Sequence, residues 1–133
     1  MHKRTTKEQF EQSFGALNPV GHVVMAFDSN QVAADARSAL LDGGTPDEDI
    51  LVFASAELEP RLSEMLRNAS GTASIGYEVT LMRRYLALMQ ENAGWLIVYA
   101  PEDAQAERVA EVARCFHAKS AVRYRTLASE ELV

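Results

Sequence analysis

The chain of 133 residues has a single cysteine, Cys115, so no disulfide can form within it and a cross-linked secreted scaffold is excluded. Basic residues are scarce: 13 Lys and Arg stand against 19 Asp and Glu, for a net charge of −6. A general nucleic-acid surface needs clustered cations to replace phosphate counterions, so no nucleic-acid partner is expected. Only two basic groupings occur, His2-Lys3-Arg4 with Lys7 and the pair Arg83-Arg84. Neither is interleaved with aromatic residues as a base-stacking platform would be. Apolar runs reach strand length and stop well short of the roughly 20 residues that cross a bilayer. The basic start leads into Glu8, Glu11 and polar residues instead of an apolar core, unlike a signal peptide. No membrane partner and a cytoplasmic location are the expectations.

Glycine-rich phosphate cradles are missing too. Both strand-to-helix turns carry carboxylates, Asp28 in one and Glu102 with Asp103 in the other. These occupy the positive field of a helix N-terminus and would repel a phosphate, so helix capping accounts for them better than nucleotide binding does. Cys115 and His117 are two residues apart, a spacing that points them to different sides of a helix. His22, at the start of the first strand, could approach either, but one cysteine and scattered histidines do not make a zinc-ligand pattern. The acidic run Asp47-Glu48-Asp49 lacks the spacing of a calcium loop and suits a turn. No cofactor and no metal are expected.

What the chain does contain is one pattern twice. Val23-Val24-Met25-Ala26-Phe27 runs into Asp28-Ser29-Asn30, a helical stretch from Gln31 to Leu41, and then Ile50-Leu51-Val52-Phe53. Leu96-Ile97-Val98-Tyr99-Ala100 runs into Pro101-Glu102-Asp103, a helical stretch from Ala104 to Phe116, and then Ala121-Val122-Arg123-Tyr124. Ala33, Ala36, Ala39 and Leu40 match Ala106, Val109, Val112 and Ala113, the apolar stripe positions of each helix. Asp28 or Ser29 can cap the first helix, and Gly43-Gly44 stops it.

Around these halves, residues 1–21 form an N-terminal helical arm. Thr6 and Gln9 have capping-box spacing, and Phe10, Phe14 and Leu17 share a face. Residues 22–133 form a single domain with a helical insert at about 57–93. Within it, Glu57 to Asn68 is one helix and Tyr77 to Ala93 another. On the second, Val79, Leu81, Met82, Tyr85, Leu86, Leu88, Met89 and Ala93 fill about half the circumference.

Strand character then selects a topology. The first and third strands are apolar at nearly every position and should be covered on both faces. The fourth alternates Arg123 and Arg125 with Val122 and Tyr124, as a half-exposed edge strand does. This pattern fits an α+β fold with a ferredoxin-like split β-α-β sheet, element order β-α-β-α-α-β-α-β and spatial order 4-1-3-2. A small parallel α/β sheet is the alternative.

The stretch from His22 to Ser55 also resembles bacterial heat-induced general-stress-protein-like domains. These show a short apolar strand, an acidic or Ser turn, an Ala-rich helix, glycine, an acidic turn and Ile opening a strand. Here the pattern is Val23-Val24-Met25-Ala26-Phe27-Asp28-Ser29, Ala33, Ala36, Leu40, Gly43-Gly44 and Asp47-Glu48-Asp49-Ile50. Trp95 to Leu127 matches the second half more loosely. The two helices between Glu57 and Ala93 depart from the flexible glycine-rich segment often found in that family. The resemblance implies a stress-related ferredoxin-like module without established catalytic residues.

A split sheet with helices on one face leaves the other face to be covered by the insert, the arm or a second copy. The leading expectation is a non-catalytic, self-associating module, a homodimer that binds a small molecule or a protein partner. The alternative is a small enzyme with a pocket between the sheet and helix 77–93. There Glu78 falls within the apolar arc, where its pKa would rise and suit it to acid-base work. Tyr77, Tyr85, Trp95 and Tyr99 could line that pocket, although aromatic residues at such spacings also build cores. A third reading has Arg83-Arg84 hold an acidic protein partner.

Overall fold

Val23, Met25 and Phe27 point to one side of the first strand, and Val24 and Ala26 to the other. All five are buried in a computed structural model that describes residues 20–68, 77–125 and 129–133. Burial on alternating sides requires a covering layer on each face. The elements in chain order are β1 (His22–Phe27), α1 (Asn30–Asp42), β2 (Ile50–Ala54), α2 (Ser55–Asn68), α3 (Tyr77–Gln90), β3 (Gly94–Tyr99), α4 (Asp103–Cys115), β4 (Ser120–Tyr124) and β5 (Ser129–Glu131). A short 3-10 turn, Asp47–Asp49, leads into β2.

The protein is an α+β fold with an open five-stranded sheet in the order β2-β3-β1-β4-β5. Every neighbouring pair is antiparallel, which overturns the parallel-sheet alternative. The fully apolar strands β1 and β3 are central, and β2-β3-β1-β4 is the order 4-1-3-2 read from the other edge.

Two helical layers flank the sheet. On one side Ala33, Ala36 and Leu40 of α1 and Val109 and Ala113 of α4 pack on Val23, Met25, Phe27, Leu96, Val98 and Ala121. On the other, Leu58 and Leu62 of α2 and Leu81, Tyr85 and Met89 of α3 pack on Val24, Ala26, Phe53, Trp95, Ile97 and Val122. The insert therefore covers that face, one of the three covers expected for it beside the arm and a second copy. The polar half of α3 expected from the sequence, including Thr80, Arg83, Arg84 and Gln90, is exposed. Of the N-terminal arm, residues 1–19 lie outside the described ones.

The repeat seen in the sequence extends to the helix ends. Ser29 caps α1 by accepting from the Val32 amide, and Glu102 caps α4 in a capping box with Gln105. Asp28 is not the cap. Gly44, two residues past α1, has φ of 100°, and His117, two residues past α4, has φ of 55°. The same left-handed position is thus filled once by glycine and once by histidine. His117 stands where a helix stops, and its exposed position gives it no catalytic setting.

One expectation needs correction. β4 is not an edge, because β5 pairs with it along Val122–Tyr124. The alternation in β4 reflects an ion-pair site: the Arg123 side chain is 11% exposed and donates to Asp103 Oδ1 at 2.9 Å, with Glu130 of β5 at 4.0 Å. β5 itself is Ser-Glu-Glu, too short and polar to show a period of two.

Gly94 opens β3 directly beneath the start of α1. A Cβ there would come within 2.8 Å of the Asn30 Cα, backbone that cannot swing aside. Gly94→Ala should lower stability by about 1–3 kcal/mol through overpacking, measurable by urea denaturation. His117→Gly should raise it by up to about 1 kcal/mol by relieving a left-handed non-glycine residue, in the same assay.

Candidate functional site

The insert leaves the sheet at Ser55 and returns at Ala93. Ser55 is buried; its hydroxyl donates to the Ala93 carbonyl and accepts from Trp95 Nε1 at 2.9 Å. The indole of Trp95 meets Tyr85 edge-on, with ring centroids 5.3 Å apart, and the Tyr85 hydroxyl lies 3.0 Å from that of Tyr124. A chain of polar aromatic contacts thus crosses the insert face from the start of α2 to β4.

At the end of this chain the strand register lines up three side chains in one lateral row. His22 stands opposite Tyr99 of β3, with rings 5.0 Å apart. The pairing of Val23 with Arg123 makes Tyr124 its neighbour on β4. His22 is 2% exposed, while Tyr99 and Tyr124 are half-buried. The Val20 carbonyl oxygen lies 3.3 Å from His22 Nδ1, where it can accept from an Nδ1–H. The half-buried phenols of Tyr99 and Tyr124 flank a buried imidazole without an obvious nucleophile, chemistry of the kind that holds a planar polar molecule.

The residues expected from the sequence distribute as follows. Tyr85 and Trp95 come together but are core, at 2% and 0% exposure. Tyr99 sits two positions beyond Ile97 on the same face and meets His22 instead of Trp95. Tyr77 and Glu78 fall in the first turn of α3, and their side chains lie outside the described ones. His22 and Tyr124 were missed as partners. No local signal marks them, because only the strand register brings positions 22, 99 and 124 side by side.

On the opposite face a cavity of about 60 Å³ lies among Thr45, Asp49, Ala100, Gln105 and Arg108. It has room for a few waters and is far smaller than a cofactor pocket. Among the described residues, no three His, Cys, Asp or Glu side chains converge as metal ligands, and no helix is long and apolar enough to cross a membrane. Several cations among the described residues are engaged within the chain. Arg84 donates to Glu131 Oε1 and to the Lys119 carbonyl, each at 3.0 Å, which removes half of the Arg83-Arg84 pair from an acidic partner. Arg37 pairs with Asp47 of the acidic turn. Lys119 lies 3.4 Å from Asp28 and 3.6 Å from Glu91. Its hydrogen bond to Asp28, followed by the charges of Asp28 and Glu91, raises its pKa above the ordinary lysine value.

No family model, curated protein or solved structure matches the chain.

The two buried serines of the insert face should respond oppositely to mutation. Ser55→Ala strands the Trp95 N–H and the Ala93 carbonyl and should cost about 1–3 kcal/mol. Ser120 Oγ is buried with no hydrogen-bond partner among the described residues, so Ser120→Ala should be neutral or stabilise by up to about 1 kcal/mol. Paired thermal melts would check both signs.

Proposed function

We propose that the chain is a non-catalytic, cytoplasmic, ferredoxin-like module that binds a small planar molecule at the His22–Tyr99–Tyr124 end of the insert face. The observation that carries this reading is the lateral row itself. A buried imidazole and two half-buried phenols share one face of the sheet, with Tyr85 reaching Tyr124 from α3. The strand order and the inserted helices support the ferredoxin-like assignment. The resemblance of His22–Ser55 to heat-induced stress-protein-like domains supports a stress-related role, and the single cysteine agrees with a cytoplasmic setting. The dimer was expected because one sheet face needed a cover. With α2 and α3 on that face, the module is proposed to act as a single chain.

An enzyme using Glu78 is the second reading. One observation favours it: position 78 lies two helical turns before Tyr85 on α3, the helix that reaches Tyr124 beside His22.

Native mass spectrometry of gently purified protein tests both. The expected spectrum is one chain with a reproducible small extra mass, lost in Tyr99→Ala while the melting temperature stays within a few degrees. Bare chain from every preparation sinks the small-molecule reading. Chemical conversion of the released compound by wild type but not by Glu78→Gln would establish the enzyme instead.

A further inference from the structure

Among the described residues β2 is a terminal strand, and a terminal edge is where a sheet ordinarily risks adding a strand from another molecule. The register pairs Ile50, Val52 and Ala54 with Val98, Leu96 and Gly94 of β3. In an antiparallel ladder alternate residues turn their N–H and C=O groups outward, so these three share one direction. That direction is the open edge, because two of the three amides are bonded away from β3. The Ile50 amide donates to the Asp47 carbonyl, and the Ala54 amide donates to Glu57 Oε1 at 2.8 Å. Among the described residues, the middle amide, Val52, is left to pair with a neighbour. The Val52 side chain is 39% exposed, an apolar group at the centre of this edge.

We propose that Glu57 and the Asp47–Asp49 turn guard the β2 edge against pairing with β2 of a second copy. The hydrogen bonds occupy the outer two of the three donors such a pair would use. Charge adds to the block. Carboxylates stand at both ends of the edge, Asp47, Glu48 and Asp49 before β2 and Glu57 after it, and an antiparallel second copy would bring its own set alongside them. The guard is local in sequence: Glu57 is in the first turn of α2, three residues past the amide it caps.

Sedimentation velocity over a wide concentration range tests the guard. Glu57→Ala frees the Ala54 amide and removes the carboxylate at that end of the edge. It should shift the protein from one chain to a species of twice that mass, increasingly so as salt screens the repulsion between the remaining carboxylates of the two copies. Val52→Lys added to Glu57→Ala should restore the single chain. The proposal is overturned if Glu57→Ala sediments as wild type throughout, or if its association persists with Val52→Lys. Should Glu57→Ala fail to fold, amide exchange in the wild type decides: Ile50 and Ala54 protected with Val52 fast supports the guard, and all three equally fast refutes it.

Discussion

The hydrogen bonds of Ser55 are the constraint on which the rest of the molecule depends. They join the two ends of an insert that begins after β2 and ends before β3, and they do so in a site closed to water. With its ends pinned, the insert lays Leu58, Leu62, Leu81 and Met89 over the sheet. Each such side chain contributes on the order of 1.5–3 kcal/mol when fully buried. The net stability of a domain is only about 5–15 kcal/mol, so a sheet stripped of this layer would not keep its fold as a single chain. The same insert carries Tyr85 to the polar aromatic row that strand register forms at the far end of this face.

The surface follows from the same economy of partners. A chain with more acids than bases could present free cations to a ligand, yet Arg37, Arg84, Lys119 and Arg123 all meet acidic groups of the chain itself. Exposed pairs of this kind are individually weak, and their value here is placement. Arg84 ties α3 to β5, Arg123 ties β4 to the start of α4, and Lys119 joins the turn after β1 to the end of α3.

Much of the fold was legible before the structure. The double strand-helix-strand pattern identified α1 and α4, and Ala33, Ala36, Ala106, Val109 and Ala113 are buried as that pattern requires. The apolar half of α3 was legible from its period, as were the central places of β1 and β3. β5 was not, since three polar residues give no period. The role of Arg123 was misjudged because an arginine paired by Asp103 and one facing water leave the same mark in a sequence. The candidate site was legible only in fragments. Tyr85, Trp95 and Tyr99 were singled out, but two of them proved to be core, and His22 and Tyr124 were absent from the set.

The sequence by itself determined the elements, their amphipathic faces and the caps that bound them, because these depend on neighbours within a few residues. Its single cysteine also excluded a disulfide within the chain. Tertiary structure alone decided three things: that the insert covers the second sheet face, that Gly94 is required by a passing helix, and that His22 meets Tyr99 and Tyr124. Each of these joins residues far apart in the chain, and such contacts are set by strand register and close packing, which no local pattern encodes.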